Sequence, residues 1–249
     1  MLNPEQIKRY ARQTILSEIG KAGQETLGNA KVLVIGAGGL GCPVLQYLAA
    51  GGVGKIGIVD FDIIDISNLQ RQVLYTEKEI GLGKADIAKN KIKALNSLIE
   101  VESFNMKVNA KNILSLIENY DIIVDGTDNF ESKYLINDAC VIKNKTLVFG
   151  SIQSFQGQVS VFNYKNGPTY RCVFPEPSET DNCSVNGVIG ILPGIIGTLM
   201  ANEVLKIILE IGEVLSGAML VVDALSLNTT KYHFEAVKAN KNIVELIES

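Results

Sequence analysis

One histidine, His233, and four cysteines, Cys42, Cys140, Cys172 and Cys183, are all that 249 residues offer for imidazole or thiolate chemistry. No two cysteines are spaced CxxC and no HxxxH occurs, which argues against a structural zinc site. A mechanism built on a histidine base has a single candidate, and it lies in the alternating stretch TKYHF, where a surface strand position is expected. A charge excess is also missing. Lys plus Arg number 23 against 27 Asp plus Glu, a net charge of −4, so nucleic acid is not expected as the main partner. The opening MLNPEQIKRYARQ carries charges where a signal peptide needs an apolar stretch, so a cytoplasmic setting with reduced thiols is expected. What remains is ordinary globular composition, 47% hydrophobic and 20% charged, in a chain long enough for a sizeable core.

Lys31-Val-Leu-Val-Ile35 is short, β-branched and apolar, and glycines follow at once, which reads as a buried parallel strand. Lys55–Asp60, Asp121–Asp125 and Thr146–Gly150 repeat the pattern, and helical periodicity fills Cys42–Ala50, Lys84–Leu98 and Glu131–Lys143. Alternation of this kind predicts βαβ units around a parallel sheet. Gln156–Asn163 alternates like an antiparallel strand, and Pro168–Asn182 reads as a polar loop. The expected fold is therefore α/β: a Rossmann-like, mostly parallel sheet with helices on both faces, extended by C-terminal antiparallel strands. Residues 1–249 are read as one domain, with an N-terminal helical segment (1–30), a nucleotide-binding core (31–150), a partner-facing part (151–235) and a solvated tail (236–249).

Between Asp181 and Glu203 no residue is charged, and Val188–Met200 is largely apolar. Pro193, four glycines (Gly187, Gly190, Gly194 and Gly197) and the nearby Asn202, Glu203 and Lys206 argue against a membrane span. A buried helix whose glycines admit a close neighbour, or a homodimer seam, accounts for the composition.

Gly36-Ala-Gly-Gly-Leu-Gly41 supplies G-x-G-x-x-G between a strand and a helix, where backbone N–H groups and the helix N-terminus favour phosphate. Asp60 ends the next strand, 24 residues beyond Gly36, placed to accept ribose hydroxyls. These two features suit NAD and ATP alike. The cations Arg71 and Lys84, with Asn68 and Gln72 nearby, favour an enzyme that expels pyrophosphate and must neutralise the charge that develops. Asp125-Gly-Thr-Asp-Asn129 ends another parallel strand, and its Asp128 suits either a magnesium ion or the N-cap of the following helix.

Taken together, Arg9-Tyr-Ala-Arg-Gln13, Gly36–Cys42, Asp60-Phe-Asp62, Ser67-Asn-Leu-Gln-Arg-Gln72, Gly83-Lys84, Thr127-Asp-Asn129 and Asn182-Cys-Ser184 closely resemble the ThiF/MoeB/HesA family, E1-like relatives of the ubiquitin-activating enzymes. The resemblance runs in order over residues about 5 to 235. It implies ATP-dependent adenylation of the C-terminal glycine carboxylate of a small β-grasp sulfur-carrier protein, of the thiamine or molybdopterin biosynthesis type, with release of pyrophosphate. By position it implies a nucleotide site of Gly36, Gly38, Gly39 and Gly41, the acidic pair Asp60 and Asp62, the run Ser67, Asn68, Leu69, Gln70, Arg71 and Gln72, then Lys84, Asp128 and Asn129. Within that set Arg71, Lys84 and Asp128 carry catalysis, Asp128 binds Mg2+, and Arg12 reaches the triphosphate from the other subunit of a homodimer. Cys183 corresponds to a loop cysteine linked to sulfur transfer. Its position before a helix also suits a lowered thiol pKa.

Such chemistry has no need of a histidine. A carboxylate is ionised at neutral pH, so attack on the α-phosphorus requires positioning and charge cancellation rather than a base. Two alternatives stay open at this stage: a non-catalytic E1-like scaffold, and an NAD-dependent oxidoreductase resting on the glycine loop and Asp60. One departure stands out. Most relatives bind zinc through two CxxC pairs, whereas Tyr170-Arg-Cys-Val-Phe-Pro175 keeps a single cysteine and the tail has none. No zinc is expected, and packing must hold that region instead.

Overall fold

The computed structural model describes residues 1–176 and 187–246. The chain opens with three short helices, α1 (Pro4–Arg9), α2 (Ala11–Thr14) and α3 (Gly20–Asn29). Asn3 and Gln6 cap the start of α1 reciprocally, each side chain accepting the other's backbone N–H at 2.9 Å. Tyr10 (φ −97°, ψ 15°) separates α1 from α2, and the Tyr10 ring is buried at the joint.

Strand and helix then alternate: β1 (Lys31–Ile35), α4 (Gly41–Gly51), β2 (Lys55–Val59), α5 (Lys84–Leu95), β3 (Glu100–Phe104), α6 (Ile113–Glu118), β4 (Ile122–Asp125), α7 (Phe130–Ile142) and β5 (Thr146–Gln153). The remaining elements are β6 (Gln156–Phe162), α8 (Leu192–Leu209), β7 (Ala218–Asp223) and β8 (Thr229–His233). Helix α5 stops three residues short of expectation because Asn96 turns to an extended conformation (φ −144°, ψ 102°). Strand β3 and helix α6 escaped the sequence reading. Strand β3 carries two glutamates at a sheet edge, and α6 has only six residues, too few to show a period.

All eight strands form one sheet in the order β3-β2-β1-β4-β5-β6-β7-β8. The first five are parallel and the last three antiparallel, so the C-terminal strands extend the main sheet as expected. Alternate residues of β1 serve the two faces. Val32 and Val34 join the core under α4, α5 and α8, while Leu33 and Ile35 join the core under α6 and α7.

Helix α8 is, among the described residues, the one helix long and apolar enough to cross a membrane, and it packs on α4, β5 and β6. Its apolar length exceeds the sequence reading, running to Leu209. Close approach by glycine holds at two of the four positions. A Cβ on Gly197 would lie 2.5 Å from the Leu40 carbonyl oxygen, and one on Gly190 would lie 2.3 Å from that of Gln70. Gly187 and Gly194 face open space.

The tail is not simply solvated. Asn240 donates to the Arg171 carbonyl at 2.7 Å and accepts from the Thr169 hydroxyl at 3.1 Å, while the Cys172 thiol sulfur accepts the N–H groups of Thr169 (3.4 Å) and Val237 (3.3 Å). Arg171 in turn holds Asp138 with two bonds of 2.8 and 2.7 Å, fixing the 169–172 turn to α7. Hydrogen bonds thus tie the tail to the Cys172 turn. Among the described residues no three His, Cys, Asp or Glu side chains gather to hold a metal ion.

Candidate nucleotide-binding site

Strands β1 and β4 are neighbours although β2 and β3 lie between them in sequence, so the strand order reverses there. Such a reversal opens a crevice at the strand C-termini. Ile35 is in register with Asp125, which sets the glycine loop after β1 directly beside the loop after β4. The contact is tight. Gly36 has φ +95°, and a Cβ there would lie 2.7 Å from the Gly126 carbonyl oxygen. A Cβ on Gly41 would lie 2.0 Å from the Gly36 carbonyl oxygen, so the turn into α4 admits glycine alone.

Asp60, at the end of β2, is buried against this loop. One carboxylate oxygen accepts the Ala37 N–H at 2.7 Å and the other the Asp62 N–H at 2.8 Å. Burial pushes its pKa above the ordinary carboxylate value, opposed by those two N–H groups and by the charge of Lys84. Lys84 opens α5 with its side chain only 5% exposed, and its ammonium donates to Asp62 at 3.0 Å. Tyr75, absent from the sequence reading, buries its hydroxyl between the two segments and donates to the Ala37 carbonyl at 2.7 Å. Nothing in a local pattern marks an aromatic for that bridge.

The polar run after β2 folds as a 3-10 turn over Ile66–Asn68, capped by Asp65, which accepts both the N–H (2.8 Å) and the hydroxyl (2.6 Å) of Ser67. Arg71 donates to the Ser67 carbonyl at 3.0 Å, and its stem lies beside Gly39 together with Pro193 of α8. Gln72 is buried beside Gly38, and its Oε1 has no partner among the described residues. An orphaned buried acceptor costs roughly 1–3 kcal/mol, so its presence beside a glycine cradle fits a bound group that supplies a donor. Asn68 and Leu69 are half-buried, and Asp62, Ser67 and Gln70 are exposed.

Asp128 is exposed beyond β4, and Asn129 rather than Asp128 caps α7, its Oδ1 accepting the Ser132 N–H at 2.9 Å. The capping alternative for Asp128 is thereby corrected, and its carboxylate is left for other work. A lone carboxylate beside a phosphate site suits magnesium, which takes one or two carboxylates with phosphate oxygens and water.

Two residues fall elsewhere. Arg12 sits exposed on α2, whose neighbour Gln13 donates to the Gly51 carbonyl at 3.1 Å, at the end of α4 remote from the glycine loop. The 11 residues of α4 make that separation about 16 Å. Cys183 lies outside the described residues. Cys42 and Cys140 are fully buried core residues, and burial pushes the Cys42 thiol up to about 12, which makes it inert.

A glycine loop, a buried carboxylate and a buried lysine converging at the switch point of a doubly wound sheet define a nucleotide-binding α/β protein. Comparison narrows the class. The ThiF family profile matches residues 10–243, and the chain belongs to that family. It is 47% identical over 235 residues to the sulfur carrier protein adenylyltransferase of Thermus thermophilus, covering 91% of this chain and 87% of that protein. It is 52% identical over 232 residues to the probable molybdopterin-synthase adenylyltransferase of Porphyra purpurea, covering 92% of this chain and 61% of that protein. The adenylyltransferase and sulfurtransferase MOCS3 of Culex quinquefasciatus is 47% identical over 99% of this chain, which spans 59% of its length. Among solved structures, E. coli MccB with ATP superposes with a TM-score of 0.83 at 22% identity, covering 97% of this chain and 74% of that one, and shares the fold.

Proposed function

We propose that this chain is an ATP-dependent adenylyltransferase that activates the C-terminal carboxylate of a small ubiquitin-like sulfur-carrier protein. The relatives' names support the substrate class, and the observation that carries the chemistry is the buried Lys84 ammonium beside the glycine loop and Asp60. A cation so placed cancels charge on a triphosphate. The carrier carboxylate, already ionised, attacks the α-phosphorus; the bond from that phosphorus to the bridging oxygen breaks, and pyrophosphate leaves with the electron pair. No proton transfer is needed, which agrees with a chain whose only histidine lies exposed on β8.

The roles follow position. Asp60 takes the ribose hydroxyls, and the glycine loop with the N-terminus of α4 cradles phosphate. Asn68, Arg71 and Lys84 neutralise the triphosphate, and the free acceptor of Gln72 takes a donor from the bound nucleotide. Mg2+, held by Asp128, would supply further charge cancellation on the phosphates. Arg12 is too far to serve its own chain and completes the site of a second copy, so the active species is a homodimer. The single eight-stranded sheet supports reading residues 1–249 as one adenylation domain. Cys183 acts after adenylation, in sulfur transfer.

ATP–pyrophosphate exchange in the presence of candidate carriers tests the reading. Exchange that requires both the carrier and Lys84 is expected; exchange that proceeds without a carrier, or survives in Lys84→Met, refutes it. Mass spectrometry of the carrier identifies the acyl-adenylate, and Cys183→Ser is expected to leave that species unchanged.

A further inference from the structure

Beneath the proposed nucleotide site lies a second buried lysine that the reaction does not use. Lys133, at the end of the first turn of α7, is 5% exposed, and its partner Asp125, at the end of β4, is 1% exposed. The ammonium donates to Asp125 Oδ2 at 3.3 Å, to the Thr127 carbonyl at 2.8 Å and to the Gly150 carbonyl of β5 at 3.1 Å, and it stands 4.9 Å from the centre of the Phe149 ring. Its three protons are thereby placed. The other oxygen of Asp125 accepts the Thr127 N–H at 2.9 Å and the Thr127 hydroxyl at 2.6 Å.

Thr127 is therefore pinned at both ends of its backbone, its N–H by Asp125 and its carbonyl by Lys133. That carbonyl belongs to the peptide group joining Thr127 to Asp128. One residue further on, Asn129 is fixed as the cap of α7. Asp128 is thus an exposed residue suspended between two immobilised neighbours. Burying an ion pair costs desolvation that the pair repays only with good geometry and further hydrogen bonds. A device of this cost, set directly under one exposed carboxylate, orders the loop that presents it.

We propose that Lys133, acting through Asp125 and Thr127, is a positioning residue that holds the Asp128 carboxylate in place for a nucleotide-bound divalent cation. The inference rests on the assignment of Asp128 above. It adds a cause for that residue's orientation, and it makes cation affinity sensitive to a side chain that touches neither cation nor nucleotide.

The test uses the full chain, Mn2+ as an oxygen-seeking probe detected by electron paramagnetic resonance, and a non-hydrolysable ATP analogue. Nucleotide affinity without metal and the melting temperature are measured in parallel. Thr127→Val keeps the side-chain shape and the ion pair but removes the hydroxyl bond to Asp125. It is expected to weaken Mn2+ binding in the ternary complex about three- to tenfold, with metal-free nucleotide affinity unchanged. Lys133→Met is expected to weaken it about tenfold or more, and Lys133→Arg to restore most of the loss by returning the charge. Should Lys133→Met fail to fold, Thr127→Val and Lys133→Arg decide the matter. Wild-type Mn2+ affinity in Thr127→Val and Lys133→Met, with affinity lost in Asp128→Asn, overturns the positioning role alone. Unchanged affinity in Asp128→Asn overturns the metal assignment itself, and the two failures are thereby distinguished.

Discussion

Lys84 and Lys133 have equally buried side chains, yet their loss has opposite consequences, because their partners differ in exposure. Asp62, which faces Lys84, is 49% exposed, whereas Asp125, which faces Lys133, is 1% exposed. Replacing Lys84 by methionine keeps the volume of the stem and returns Asp62 to water. The pair lost is close to a surface pair, worth about 0–1 kcal/mol. In a chain of this size about 1 kcal/mol moves the melting temperature by roughly 2–4 °C, so Lys84→Met should melt within a few degrees of wild type. Its catalytic loss should be far larger. Removing one preorganised donor from a charge that develops in the transition state costs about 10²- to 10³-fold, or roughly 2.7–4 kcal/mol. Carrier-dependent ATP–pyrophosphate exchange, read beside a thermal melt, separates the two effects. Lys133→Met leaves Asp125 buried without its partner, at about 3–5 kcal/mol, and the melt should fall by roughly 6–20 °C. Exchange in Lys84→Met within fivefold of wild type refutes the role of Lys84, and equal melting shifts in the two variants refute the reasoning from partner exposure.

Gly41→Ala places a Cβ 2.0 Å from a backbone oxygen that cannot move aside, so nucleotide binding by calorimetry should vanish. Gly28→Ala meets nothing within 4 Å inside α3 and should instead stabilise the chain, by about 0.5–1 kcal/mol in a denaturant melt. Burial raises the Asp60 pKa, so the folded state binds its proton more readily than the unfolded one above the ordinary value of 3.8. The wild-type stability should therefore gain on that of Asp60→Asn as the pH falls through this window, while nucleotide affinity, which needs the ionised form, should fall over the same range. Both follow from paired denaturation and binding titrations. Asn240→Ala removes the 2.7 Å bond to the Arg171 carbonyl, and limited trypsin cleavage at Lys238 and Lys241 should speed up severalfold.

Much of the architecture is legible in local pattern. β1, β2 and β4 are continuous apolar runs because both their faces are covered, and a run of that kind followed by glycines has few other readings. β3 is not legible, since an edge strand with two glutamates carries no such signal. The proposed nucleotide residues are legible because a phosphate cradle favours glycine, and ribose and triphosphate favour fixed charges, at set distances along the chain. Tyr75 and Lys133 are not legible, because their partners Ala37 and Gly150 lie one or more elements away along the chain. A lysine on α7 looks like any surface cation until the fold buries it.

Local pattern suffices for the parallel core and for the glycine turn with its neighbouring Asp60 and Lys84, because each is written in residues close together along the chain. Packing between remote segments sets the rest: Asn129 and not Asp128 caps α7, the tail is tied to the Cys172 turn, and α2 sits against the end of α4 remote from the glycine loop. These are outcomes of distance and burial between remote segments. They depend on which groups lose water together, and no local pattern records that.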